Sequence, residues 1–462
     1  MEDWTREPGS FRDPGGAVYY SSDKVFRTVS PEAVEDFEQV RATGLLEKLV
    51  AQNQLIGGTV ANQEAPPQLQ PRPALILEHP RIPFISYPYE WCFYALRDAA
   101  IHQLQTGLSA LEYDVMLSDA SAYNIQFIGA SPIFIDHLSF RTYEQGKAWK
   151  AHRQYCDQFL NPLLLRALLG IPHNAWYRGN LEGIPTTELN RLIPTSKKFS
   201  AGVFFHVTLQ AMLQNAANKK KNRRQEAKTV SLDKRKIIYI MESLNKYVKK
   251  LTPKRIPDSV WHQYAWDNSY ADEEEQLKRQ FIVDFVTKVR PGLLLDLGCN
   301  TGEYSMLALK SGAELAVGMD TDHPALEQGY LRAKEKRLNF LPLYFDIANP
   351  SPNQGWNCTE RRGLQERANA DAVFALALLH HLVFGRNIPL DMAVAQLIAL
   401  APAGVIEFVP KTDPMVQDLL LLRKDIFPNY TQNDFEACLK RCSGIVKSEQ
   451  VNRFGRRLYW YA

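Results

Sequence analysis

Charge imbalance, cysteine and long apolar runs are all scarce in this chain, and each scarcity closes off a class of protein. Its 54 Lys and Arg are nearly matched by 51 Asp and Glu, leaving a formal net charge of +3. No global field therefore points to nucleic acid. Six cysteines, at 92, 156, 299, 358, 438 and 442, form no C-x-x-C pair, so they read as reduced structural thiols rather than a disulfide framework. Cys438 and Cys442 share a helix face at i, i+4, but no histidine neighbours them and no metal site is expected there. No stretch is apolar for long enough to span a membrane. The opening M-E-D-W-T-R-E-P-G-S has neither the basic start nor the apolar stretch of a secretory leader. A cytoplasmic protein without a membrane segment is the expectation.

What is present is globular: 45% hydrophobic and 23% charged residues over 462 positions, enough for two or three domains. Residues 10–29 read as a hairpin with Gly15-Gly16 and Ser22-Asp23 at its turns, followed by a helix over 31–52 opened by Ser30-Pro31. Strands are expected at 74–78, 84–87, 125–128 and 133–135, a helix over 90–106, and further helices from 149 to 215. Positive charge then crowds into 219–255, around an amphipathic helix over 232–251 whose apolar stripe is Ile237, Ile238, Met241, Leu244 and Val248. The division this suggests is an α+β domain over 1–215, a basic helical connector over 216–259 and a third region over 260–462. The connector's basic face reads as solvated; a nucleic-acid surface would call for more aromatic interleaving.

From 260 onward strands and helices alternate, with strands at 293–297, 315–319, 340–345, 372–377, 404–409, 445–450 and 457–461. Alternation of this kind gives a doubly wound α/β sheet, here closed by a final antiparallel hairpin. The stretch L-L-L-D-L-G-C-N-T-G-E-Y-S (293–305) is a strand, a glycine turn and a helix start, which lets backbone approach a ligand closely. Asp296 ends the first strand, Asp320 the second and Asp346 the third. Asp320 is placed for the two hydroxyls of a ribose, and Asp346 for an adenine amino group. The fourth strand runs into His380-His381, either of which suits a proton acceptor near neutral pH. Glu407 at the fifth strand is a further catalytic candidate, and Trp261, Tyr264 and Tyr270 are candidates for a lid.

The motif D-L-G-C-N-T-G (296–302) resembles the first motif of class I S-adenosylmethionine-dependent methyltransferases, commonly D-x-G-C-G-x-G. Asn300 stands where that motif has glycine, and asparagine is the best non-glycine residue for a left-handed turn. The resemblance implies S-adenosyl-L-methionine as cofactor, with Asp296, Gly298, Asn300 and Gly302 around its methionine part, Asp320 on the ribose and Asp346 at the adenine edge. No N-P-P-Y or D-P-P-Y tetrapeptide follows the fourth strand, which speaks against amino-methylation of nucleic acid. Six further segments widen the match: P-Y-E-W (88–91), D-A-S-A-Y-N-I-Q-F (119–127), F-I-D-H-L-S-F (134–140), D-N-S-Y (267–270), A-L-A-L-L-H-H-L (375–382) and V-I-E-F-V-P-K-T-D-P (405–414). They look like the bacterial NoeA-type, nodulation-protein-like methyltransferase family over nearly the whole chain.

The N-terminal part carries a second, separate pattern. Asp119 and Asn124 stand five apart, two short strands follow, and Asp136 closes the second. A kinase catalytic loop has this spacing, with Asp119 as base and Asn124 and Asp136 holding magnesium beside ATP. Lys24 or Arg27 would then pair with Glu35 or Glu38. His137-Leu138-Ser139 stands where kinases carry Phe-Gly, and no glycine-rich loop is visible. The alternative is a recognition domain whose Asp and Asn cap turns.

The function expected is an S-adenosylmethionine-dependent methyltransferase (EC 2.1.1.-) acting on a small-molecule or sugar-derived acceptor. Loops such as 349–369 are expected to shape the acceptor side. The alternatives are a scaffold or binding protein with a kinase-like module and a non-catalytic cofactor fold, or an RNA-modifying methyltransferase that uses the basic connector.

Overall fold

The structure, a computed structural model, describes residues 4–21, 24–62, 66, 69, 71–147, 149–220, 232–254, 272–421 and 424–462, without the side chains of 217–220 and 272. They form two compact units. Unit 1 comprises Met1–Phe127, Pro132–Ile256 and Asn353–Arg361; unit 2 comprises Ile128–Ser131, Pro257–Pro352 and Arg362–Ala462.

Unit 1 begins with a five-stranded antiparallel sheet in the order β1-β2-β3-β5-β4, from β1 (Thr5–Arg6), β2 (Val18–Ser21), β3 (Lys24–Val29), β4 (Thr59–Val60) and β5 (Leu75–Pro80). The hairpin starts later than its sequence suggests, because Pro8–Arg12 winds into a 3-10 turn whose N-cap is Glu7. The single helix expected over 31–52 is two, Val34–Ala42 and Leu45–Ala51, split where Gly44 takes φ +76°. The strand expected at 84–87 is absent. Pro83 and Pro88 bracket it, and the Gln126 side chain occupies both the N–H (2.9 Å) and the C=O (3.0 Å) of Ser86 in place of a ladder.

A long buried helix, Phe93–Glu112, carries the middle of unit 1. The amphipathic helix Lys234–Lys249 packs on it, burying Ile237, Met241, Leu244 and Val248. That helix is therefore part of unit 1 and not a free-standing connector; its apolar stripe needs a partner to leave water. Two further pairs follow: β6 (Val115–Leu117) with β9 (Phe140–Thr142), and β7 (Ile125–Ile128) with β8 (Ser131–Phe134). The loop from Asp119 to Asn124 joins β6 to β7.

Unit 2 is built on a seven-stranded sheet: β10 (Leu293–Leu297), β11 (Leu315–Asp320), β12 (Phe340–Tyr344), β13 (Ala372–Ala375), β14 (Ala403–Phe408), β15 (Ile445–Gln450) and β16 (Arg457–Tyr461), in the order β12-β11-β10-β13-β14-β16-β15. The first five are parallel, and β16 runs antiparallel to both neighbours. Counted within the unit, the order is 3-2-1-4-5-7-6, a doubly wound sheet closed by the antiparallel hairpin that the sequence leads one to expect. Every residue of β10 and β14 is buried, as befits strands covered on both faces, whereas the edge strand β15 alternates exposed and half-buried residues. The order reverses between β10 and β13, which opens a crevice at the carboxyl ends of the strands. Among the described residues no helix is long and apolar enough to cross a membrane.

Candidate cofactor site

The turn after β10 alternates its backbone: Gly298 (φ +75°), Asn300 (φ +49°) and Gly302 (φ +81°) are all left-handed. Gly302 is also sterically required, since a Cβ there would sit 2.4 Å from the Phe340 ring. Asn300 tolerates its conformation because its own side-chain oxygen accepts the Thr301 N–H at 2.8 Å. The helix Glu303–Lys310 starts directly from this turn.

Asp320, ending β11, accepts the backbone N–H of Asn300 on one carboxylate oxygen (2.8 Å) and that of Asp322 on the other (2.9 Å). The carboxylate is thereby held rigid beneath the glycine turn. Asp296 is buried in β10 and accepts the Ser305 hydroxyl at 2.5 Å. Burial raises both: Asp296 goes up to about 6, eased by the Ser305 hydroxyl and pushed further by the Asp320 charge, while Asp320 rises in spite of its backbone hydrogen bonds. Asp346, after β12, accepts the Ala348 N–H (3.0 Å) and pairs with Arg386 (2.9 Å). These carboxylates share one cavity of about 630 Å³ with Gly298, Asn300, Met319, Phe345, Leu378 and His381. Its walls come from the carboxyl ends of β10 to β13, and its volume suits a bound small molecule.

The three catalytic candidates part company. His381 lines the cavity, and burial, aided by the Arg456 charge, lowers it to about 4, so its ring is neutral at physiological pH. His380 is wholly buried at 4.0 Å ring-to-ring from His381, and among the described residues neither of its ring nitrogens has a hydrogen-bond partner. Burial holds it well below an ordinary histidine. It packs behind the site and does not line it. Glu407 is also off the cavity. It is fully buried, pairs with Lys278 at 2.6 Å, accepts the Ala377 N–H at 3.0 Å and lies 3.7 Å from Arg456. Arg456 in turn grips Asp413 through two hydrogen bonds, at 2.7 and 2.9 Å. Glu407 thus holds the backbone of Ala377, a wall residue in the left-handed region (φ +49°).

Tyr304, at the end of the 293–305 stretch, also lines the cavity, as do Lys278, Arg386 and Arg456, which belong to no motif described above. Lys278 lies on the helix Asp272–Val289, ahead of the first sheet strand, with its ammonium 4.8 Å over the Tyr304 ring. The one sequence signal for it is a lone lysine on the apolar side of an acidic helix. The lid candidates Trp261, Tyr264 and Tyr270, and the side chains of the basic run 219–224, lie outside the described residues.

In unit 1 the residues of the kinase-like pattern do meet. The Asn124 amide donates to Asp119 (3.2 Å) and to the Ser139 hydroxyl (3.2 Å), which donates to Asp136 at 2.6 Å. Arg27, on β3, lies 3.5 Å from Asp136 and also pairs with Asp13; neither Glu35 nor Glu38 takes it. Lys24 pairs with Glu78 instead. Asp119 is raised, chiefly by burial. Within the loop region expected to shape the acceptor side, residues 353–361 belong to unit 1, where Glu360 holds Arg12 at 2.6 Å.

No protein-family model matches the chain. It is 40% identical over 457 residues to the nodulation protein NoeA of Rhizobium meliloti (strain 1021), covering 99% of this chain and 96% of that protein. Among solved structures it is similar to the N-methyltransferase NodS from Bradyrhizobium japonicum WM9 (13% identity, 41% of this chain and 96% of that one, TM-score 0.31). It is also similar to magnesium protoporphyrin IX methyltransferase ChlM from Synechocystis PCC 6803 with bound SAH (19% identity, 44% and 91%, TM-score 0.31). The fold of unit 2 is identified by its own strand order and not by these likenesses.

Proposed function

The chain belongs to the family of the nodulation protein NoeA, and from that premise we propose that unit 2 binds S-adenosyl-L-methionine and that the protein transfers its methyl group to a small-molecule or sugar-derived acceptor. One observation carries the reading. Three carboxylates at three successive strand ends, Asp296, Asp320 and Asp346, line one cavity beside a left-handed glycine turn. The donor set fits the cofactor. Asp320 would hold the ribose hydroxyls, and Asp346 with Ile347 and Ala348 the adenine edge. The raised carboxylates Asp296 and Asp320 favour a positively charged ligand part, because a cation beside them lowers the cost of their ionised form.

The cofactor supplies an electrophilic methyl on a sulfonium. The protein's work is then positioning and proton handling. Neutral His381 can take the proton of an acceptor hydroxyl or amine at a ring nitrogen as the nucleophile attacks. Glu407, through Ala377 and Lys278, keeps that wall in place. Calorimetry with the cofactor tests the reading. Wild-type protein is expected to bind it, and Asp320→Ala to weaken binding about a hundredfold through lost charge-assisted hydrogen bonds. No binding by the wild type, or equal binding by the variant, would sink it.

A second reading concerns unit 1 alone. Asp119, Asn124 and Asp136 gather around Ser139 with Arg27 beside them, an arrangement that phosphoryl transfer would use with magnesium and ATP. Magnesium-dependent ATP binding that Asp136→Ala abolishes supports this; ATP binding that ignores magnesium and the substitution, or none, leaves unit 1 as a recognition domain.

A further inference from the structure

Cys156 is not one of a cysteine pair, yet it has two histidine neighbours. His152 and Cys156, at i, i+4, share one face of a helical segment. His206, 54 positions beyond His152, arrives from another. His152 Nε2 lies 3.2 Å from His206 Nδ1 and 3.8 Å from Cys156 Sγ, and the three ligand atoms all fall within 4.8 Å of one another. Zinc ligands at about 2.0 Å for nitrogen and about 2.3 Å for sulfur, at near-tetrahedral angles, stand roughly 3.3 Å (N to N) and roughly 3.6 Å (N to S) apart. The two spacings from His152 are close to those of ligands around one ion, and the Cys156 to His206 pair stays within 4.8 Å.

Three further observations point the same way. Cys156 opens one π-helical turn (Cys156–Leu160) and His206 lies within another (Phe204–Thr208). Such turns re-aim side chains and gather at functional sites. Cys156 and His206 are buried, and the buried ring of Trp149 covers His152 at 5.5 Å. A dry surround of this kind strengthens ligation. Burial also lowers both histidines to about 4, which keeps them in the neutral form that ligates; it pushes the Cys156 thiol up, a cost that the charge of a bound ion would have to offset.

We propose that His152, Cys156 and His206 form a zinc site in unit 1, with two neutral imidazoles and one thiolate as ligands and water at the fourth position. His152 is half-buried and is the most exposed of the three ligands. Binding breaks the Cys156 S–H bond, forms the S–Zn bond and releases that proton to solvent. The N–H that one imidazole holds between the two rings moves to that ring's other nitrogen, so each facing nitrogen presents a lone pair. The ion would tie the helical segment at 152–156 to the one at 204–208, so zinc stabilises unit 1 when bound. Nothing here depends on the cofactor site of unit 2, and the two readings fail separately.

The test uses the full chain stripped with a chelator and titrated with zinc against a chromophoric competitor. One equivalent per chain is expected, with affinity at least about a hundredfold lower in Cys156→Ser and in His206→Ala, and unchanged in a Cys358→Ser/Cys442→Ser double variant. Cobalt(II) reads the unaltered protein directly, so a variant that fails to fold does not blunt the test. A thiolate-to-cobalt charge-transfer band with a tetrahedral visible envelope supports the site, and its absence overturns it. Equal zinc affinity in the Cys156 and His206 variants, or stoichiometric copper(I) binding without zinc binding, also overturns it.

Discussion

Both units place acidic residues at the ends of short strands, but the two sets of acids meet different surroundings. In unit 1 Asp136 has Arg27, Ser139 and the Leu138 N–H around it, and Asn124 bridges Asp119 to Ser139. The cluster satisfies itself. In unit 2 the buried lysine near these acids, Lys278, is already paired with Glu407, and Asp296 feels the charge of Asp320 at the wall of the same cavity. The contrast separates acids whose partners are side chains and backbone of one loop from acids that burial raises at the wall of a cavity, a difference that residue identity and spacing do not reveal.

The sharpest way to break this contrast is to remove the counter-ion that keeps Lys278 occupied. Glu407→Ala strands a buried ammonium and loosens Ala377, and should cost about 3–5 kcal/mol in chemical denaturation. A loss under about 1 kcal/mol would mean that Lys278 is free to serve the cavity acids instead. Next comes His381→Ala, which should lower the methyl-transfer rate about a hundredfold while leaving cofactor affinity as it was. A parallel fall in affinity would move His381 from proton acceptor to cofactor contact.

A pH experiment isolates Asp296. Its folded value of about 6 lies above an ordinary aspartate, so the native state holds this proton longer than the unfolded chain. The stability it contributes is intact below about pH 4 and is lost as pH rises through about 6, by about 2–3 kcal/mol. Asp296→Asn should lack that decline, visible as a pH-dependent difference between the two unfolding free energies. Parallel curves would show that Asp296 is compensated after all. The smallest effect is expected in unit 1: Asp136→Ala loses the Ser139 and Leu138 hydrogen bonds, costs about 1–2 kcal/mol and leaves cofactor binding untouched. A change in cofactor affinity would erase the distinction between the two clusters.

Unit 2 was legible from its residues because its signals are local. Apolar runs bounded by turn residues mark fully buried parallel strands, and D-L-G-C-N-T-G encodes left-handed positions that the structure realises at Gly298, Asn300 and Gly302. Unit 1 was less so. Gly44 breaks a helix whose apolar pattern runs on, and a side chain, Gln126, replaces a strand partner at Ser86. The helix Lys234–Lys249 looked like a linker because charge dominates its composition, whereas its stripe decides where it packs.

What the sequence determined by itself is therefore the strand-turn-helix frame of unit 2, its three strand-end acids and the family, since each depends on residues close together along the chain. Only tertiary structure decided which of two adjacent histidines reaches the cavity, that Glu407 is buried against Lys278 and the Ala377 N–H, and that Cys156 has His152 and His206 beside it. Those facts rest on side chains from distant elements meeting in space. Burial and pairing, which act through distance and dielectric rather than through order along the chain, then set what each can do.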